Sequence, residues 1–267
     1  MTGAAASTGV RPAFERRAAR AEALARESPS ARAPLEFAAG LYRAQGLVAE
    51  AIERAAARVG LAGDPARDLG PLAAELRGVL RFAADHAPQP LADLARARLD
   101  EDPGPRLAAW WSGGGSGRDD YLARALLRPY AEVLAARALR PQRPGASGGC
   151  PFCGGAPWIA ARRAAGDGDS AQRFLGCALC ASEWPLGRIR CPTCGEESPD
   201  KLAAFQSDRH PAVRIEACTT CHTYVKSIDL TVDARAIPEI DDLLSLAMDV
   251  WAGEQGYARV EPGLAGI

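Results

Sequence analysis

Eight cysteines, all between positions 150 and 221 of a 267-residue chain, constrain the fold more than any other feature. They form four Cys-x-x-Cys pairs: Cys150/Cys153, Cys177/Cys180, Cys191/Cys194 and Cys218/Cys221. Between the first pair and the second lie 23 residues, as between the third and the fourth, whereas 10 separate Cys180 from Cys191. The unit C-x2-C-x23-C-x2-C thus occurs twice, offset by 41 residues. The match extends to Pro151/Pro192, Gly154/Gly195, Arg173/Arg214 and Phe174/Ile215, which marks an internal duplication.

Coordination chemistry explains the spacing. Two residues between cysteines let a tight turn aim both sulfurs at one ion, and two such turns complete a tetrahedral four-sulfur site. Glycine after the second cysteine relieves the backbone, and proline after the first stiffens the turn. Equal spacing favours two sequential sites, Cys150/153/177/180 and Cys191/194/218/221. The alternative is an interleaved scheme that joins Cys177/180 with Cys191/194 and pairs the outer knuckles. Four sulfurs suit zinc and a single rubredoxin-type iron alike.

Three rival uses of these cysteines are weaker or blander. Structural zinc would only staple a region too small to hold its own core. Thiol exchange needs one exposed, low-pKa pair at a helix start, which four equivalent turn-borne pairs fit poorly. Cys218-Thr-Thr-Cys221-His222 spells a c-type haem attachment site, but the other three pairs lack the histidine. His222 reads instead as a polar surface residue, and His86 and His210 take no role.

The preceding residues contain no cysteine and read as helical from about 12 to 140. Leu35, Ala38-Ala39, Leu41-Tyr42, Gln45, Val48-Ala49, Ile52 and Ala55-Ala56 recur at three- and four-residue spacing. Similar patterns run through 72–82, 91–99 and 121–139, broken at Gly63-Asp64-Pro65 and Asp102-Pro103-Gly104-Pro105. Residues 112–117 read as a Gly/Ser loop, without the Lys-Ser/Thr of a phosphate loop. Pro, Gly and Ser then dominate 141–149, the expected linker. Short β-type runs follow, among them Arg214-Ile215-Glu216 and 224–230, and the chain returns to helix over 239–257. On that helix Ile240, Leu243-Leu244, Leu246-Ala247, Val250-Trp251 and Gln255 are expected to form the apolar face, with Asp241, Asp242 and Asp249 mostly turned elsewhere.

The expected organisation is an all-helical N-terminal domain over 1–140 and a linker over 141–149. A first metal-binding fold over 150–187, a second over 188–233, and a C-terminal helix and tail over 234–267 complete it. The fold class is α plus small β, with two tandem zinc-ribbon-like folds. Lys+Arg of 32 against Asp+Glu of 33 gives a net charge of -1, which argues against nucleic-acid binding through overall charge. No apolar stretch follows Arg16-Arg17, so the reading is an amphipathic first helix, no export signal, no membrane span and a cytoplasmic protein. Neither a nucleophile-base-acid set nor a Gly-rich cofactor loop is evident, which argues against an independent enzyme. Arg162-Arg163, Arg173, Arg188, Arg190, Arg209 and Arg214 crowd the cysteine region, either as solvated surface or as a patch for an acidic partner segment.

The sequence resembles the formate dehydrogenase accessory protein family, FdhE. The resemblance rests on Cys150-Pro-Phe-Cys-Gly, Cys177-Ala-Leu-Cys with Glu183-Trp184, and Arg190-Cys-Pro-Thr-Cys. It continues through Cys218-Thr-Thr-Cys, Tyr224-Val-Lys226, Asp241-Asp-Leu-Leu-Ser-Leu-Ala-Met-Asp249 and Glu254-Gln-Gly-Tyr257. It is specific over about 150–260 and extends to the N-terminal half only in length and helical character. The resemblance implies a non-enzymatic, cytoplasmic assembly factor for respiratory formate dehydrogenase, its cysteines forming two rubredoxin-like folds that bind iron. Its implied partner is the molybdenum- or tungsten-containing, selenocysteine-using catalytic subunit, bound before export. A homodimer is compatible with the sequence. Competing readings are a zinc-ribbon nucleic-acid-binding regulator and a rubredoxin-like electron carrier.

Overall fold

The structure is a computed structural model and describes residues 9–114, 118–143, 148–164 and 171–266. Residues 115–117 of the expected 112–117 loop and 144–147 of the 141–149 linker lie outside these residues; the described part of the loop, to Gly114, closes a π-helical turn over Trp110–Gly114. Two compact units emerge. One comprises Met1–Ala19 with Ala39–Gln142, the other Arg20–Ala38 with Arg143–Ile267.

Helices α1 (Arg11–Glu27) and α2 (Arg32–Val59) each contribute to both units. Along α2 the three-four spacing buries Leu35, Ala38, Leu41, Tyr42, Gln45, Val48, Ala49 and Ile52, as the sequence period requires. The first unit continues with α3 (Pro65–Asp68), α4 (Ala73–His86), α5 (Gln89–Ala97), α6 (Pro103–Ala109) and α7 (Arg118–Ala136). Two of the sequence breaks are helix caps: Asp64 accepts from the Ala66 amide at 3.1 Å and Asp102 from the Gly104 amide at 3.0 Å. Each is followed by proline at the first helical position, where its missing N–H costs nothing. Phe14, Tyr42, Leu76, Leu80, Trp111 and Tyr130 fill the core of this unit. Inside it Glu132 is held by Arg17 at 2.8 Å and Arg128 at 2.7 Å.

The second unit carries one sheet of β1 (Pro157–Ala164), β2 (Ala171–Cys177), β3 (Glu183–Pro185), β4 (Leu202–Gln206), β5 (Val213–Cys218), β6 (Thr223–Asp229) and β7 (Ala258–Arg259). Its order is β3-β2-β1-β6-β5-β4, with β7 pairing β6. The duplication is visible here: β1-β2-β3 and β4-β5-β6 are each antiparallel, and the 41-residue offset carries one set onto the other. The two repeats join through a parallel pairing of β1 with β6, Ala160 opposite Ser227.

After α8 (Pro238–Asp241) a 3₁₀ turn over Asp242–Ser245 leads into α9 (Leu246–Glu254). Here one expectation is corrected. Ile240 and Leu243 are buried as expected, but Asp241, Asp242 and Asp249 are buried beside them at 8%, 2% and 4% exposure, while Val250 is 55% exposed. The reason is a set of distant cations. Lys226 on β6, fully buried, reaches Asp242 at 2.9 Å and Asp249 at 2.6 Å. Arg259 on β7 reaches the same two carboxylates at 3.0 and 3.2 Å. Tyr224 donates to Asp249 at 2.8 Å, and Lys226 also donates to Ser245 Oγ at 3.0 Å. Two cations and two anions balance, which satisfies the cost of burying charge. Asp241 has a separate partner, Arg20, whose Nε donates to it at 3.0 Å.

Candidate metal centres

In three of the four knuckles the carbonyl of the first cysteine accepts the amide of the residue after the second cysteine. Gly154 donates to Cys150 at 2.8 Å, Gly195 to Cys191 at 3.1 Å and His222 to Cys218 at 2.9 Å. That residue has a left-handed backbone at all four knuckles: Gly154 at φ 69°, Ala181 at 57°, Gly195 at 77° and His222 at 55°. Glycine adopts this conformation freely, whereas alanine and histidine are strained in it. His222 therefore occupies a turn position, and its two neighbouring cysteines face other thiols.

The sulfurs converge in the sequential arrangement. Those of Cys150, Cys153, Cys177 and Cys180 all lie within 4.8 Å of one another, as do those of Cys191, Cys194, Cys218 and Cys221. In the first set Cys150–Cys180 is 3.6 Å and Cys153–Cys177 3.4 Å; in the second Cys191–Cys221 is 3.6 Å and Cys194–Cys218 3.7 Å. A tetrahedron of sulfurs about 2.3 Å from one ion has edges of about 3.8 Å, so both sets fit a four-coordinate soft cation. Amides complete the shell: Gly155 donates to Cys153 Sγ, Leu179 to Cys177 Sγ and Thr193 to Cys191 Sγ, each at 3.4 Å. A Cβ on Gly155 would lie 2.9 Å from Cys177 Sγ, so only glycine lets this amide approach.

A further pair of residues emerges from the geometry alone. Ser182 Oγ is 3.2 Å from Cys180 Sγ, and Thr223 Oγ1 is 3.1 Å from Cys221 Sγ. The 41-residue offset carries one onto the other, which is the signal by which sequence could have found them. Thiol crowding splits the ionisation of the first set. Hydrogen bonding with Cys153 holds Cys150 far below the ordinary thiol range, and bonding with Cys150 pushes Cys153 and Cys177 far above it. Four adjacent thiolates repel one another, and a divalent cation removes that repulsion by displacing the protons.

The two centres differ in access. All four cysteines of the first set are buried; in the second, Cys194 is exposed and Cys221 half-buried.

The fold and the two four-thiol sites define a class of protein in which a duplicated cysteine-knuckle sheet follows a helical unit. The FdhE central-domain family model matches residues 149–188 and the FdhE C-terminal-domain model residues 189–264. An FdhE homolog of Pseudomonas putida is 30% identical over 276 aligned positions, covering 94% of this chain and 86% of the relative. An FdhE homolog of Aquifex aeolicus is 37% identical over 117 positions, 44% of this chain and 41% of that protein. The crystal structure of the FdhE protein from Pseudomonas aeruginosa superposes with a TM-score of 0.69 at 25% identity, covering 96% of each chain. The chain belongs to the FdhE family.

Proposed function

We propose that this protein is an accessory factor for maturation of respiratory formate dehydrogenase. In this reading it works in the cytoplasm, without catalysis of its own, and binds the catalytic subunit before export. The observation that carries the reading is FdhE-family similarity along nearly the whole chain, joined to two complete four-thiol centres. Cys150, Cys153, Cys177 and Cys180 are the ligands of one ion, and Cys191, Cys194, Cys218 and Cys221 those of another. Iron or zinc satisfies this donor set; iron would add one-electron redox chemistry and zinc would not. The protein's own contribution is to aim the sulfurs, supply the amide and hydroxyl donors, and keep water from the first centre. Among the described residues no helix is long and apolar enough to cross a membrane. Formate dehydrogenase activity in cells lacking this chain tests the proposal. Restoration by the intact chain but not by a Cys153→Ala/Cys194→Ala variant of equal abundance supports it. Undiminished activity without the chain contradicts it.

A further inference from the structure

The duplication places arginines of both repeats around one cleft in the second unit, with a volume of about 150 Å³. Arg162, Arg173, Arg188, Arg190 and Arg214 line it, and Glu216 is its acidic residue. Most of these cations are already engaged. Arg162 pairs with Asp229 at 2.9 Å, and Arg190 with Glu197 at 3.2 Å. Arg173, whose side chain is 5% exposed, pairs with Glu216 at 2.7 Å. Its Nη1 also donates to the carbonyls of Gly187 and Arg190, at 3.3 and 3.0 Å, which fixes the turn that presents Arg188. Its repeat mate Arg214 has no such partners. Among the described residues neither Arg188 nor Arg214 has an acidic neighbour in ion-pair range, so two positive charges face the cleft uncompensated.

We infer that this cleft is a docking site for an acidic peptide segment of a partner protein, carboxylates against Arg188 and Arg214. The inference rests on the proposed function and names the chemistry the partner must show. Charge complementarity selects the occupant, since a guanidinium fork matches a carboxylate through two parallel hydrogen bonds. The volume is below the roughly 300 Å³ at which clefts begin to take drug-sized ligands, which disfavours a nucleotide-sized cofactor. Leu202, Ala203 and Ala204 form one wall and belong to β4, an edge strand paired only with β5 among the described strands. An extended peptide therefore has open main-chain partners beside the arginines. Cys191 and Cys218 also line the cleft, which sets the peptide next to the more accessible thiol centre.

The test uses the full chain loaded with zinc and a fluorescent hexapeptide of Asp and Glu, read by anisotropy at low salt. The cleft predicts saturable binding that the Gln/Asn version of the peptide lacks. Arg188→Ser/Arg214→Ser should weaken it by at least about ten-fold, and Arg58→Ser, which removes an exposed charge elsewhere, by less than about two-fold. Equal binding by the double variant overturns the inference, as does an equal loss in Arg58→Ser. So does displacement of the peptide by inorganic phosphate at matching concentration, which would make the cleft a small-anion pocket. Loss of zinc from the double variant would assign the two arginines to neutralising thiolates, and would overturn it too. No formate dehydrogenase is present, so the result is independent of the proposed function.

Discussion

Ala181 and His222 hold the left-handed backbone that glycine holds at the two equivalent knuckles. The turn geometry is imposed by the convergence of the sulfurs, helped at His222 by the bond from its amide to the Cys218 carbonyl, so a side chain there is tolerated at a cost. No atom lies within 4 Å of a Cβ built on Gly195, which isolates the backbone effect. Gly195→Ala should destabilise the zinc-loaded protein by about 1 kcal/mol, and Ala181→Gly should stabilise it by a similar amount, both read from urea unfolding. Lys226 presents a larger effect. Lys226→Met would leave Asp242 and Asp249 sharing Arg259 alone, and the loss expected for breaking a buried pair is about 3–5 kcal/mol. Asp242 also sets an acid limit. Burial raises its carboxyl pKa, but Arg259 and Lys226 outweigh burial and hold it below the ordinary carboxylate range. A carboxyl depressed on folding contributes stability above its unfolded pKa and loses it as pH falls through the folded value. Melting temperature should therefore fall steeply below about pH 4, and less so in Asp242→Asn, which has already lost the contribution.

At the scale of elements the two knuckle pairs are copies with different solvent access. A chelator must reach a sulfur to remove its ion, and only the second centre offers an exposed cysteine, Cys194. Zinc release to a colorimetric chelator should be biphasic with one equivalent in each phase, and Cys194→Ala should abolish the fast one. A single phase of two equivalents would contradict this. The cysteine spacing made both four-cysteine clusters legible, because a local turn aims the sulfurs and the repeat fixes which knuckles converge. The acidic helix was not legible in the same way. Hydrophobic periodicity turns Asp242 and Asp249 outward, and their partners Lys226 and Arg259 sit on strands that no local pattern brings near. The parallel β1–β6 pairing escaped for the same reason, since it joins residues about 67 positions apart, Ala160 and Ser227.

For the whole molecule, the near-neutral charge and the arginine-lined cleft fit together. A balanced surface gives no general attraction for polyanions, while two uncompensated guanidiniums give a local one. The second unit draws Arg20–Ala38 from the N-terminal half, and Arg20 anchors that segment on Asp241. Linear division of the chain cannot anticipate such an exchange, because the helical period runs unbroken through α1.

The proposed function requires that this chain bind a formate dehydrogenase catalytic subunit and that its four-thiol centres be intact. Its most direct measurement is affinity purification of the tagged full chain from anaerobically grown cells, followed by mass spectrometry of the retained proteins. Recovery of the catalytic subunit with the intact chain, and its loss with Cys153→Ala/Cys194→Ala, is the predicted result. Equal absence of that subunit from both purifications would contradict the account.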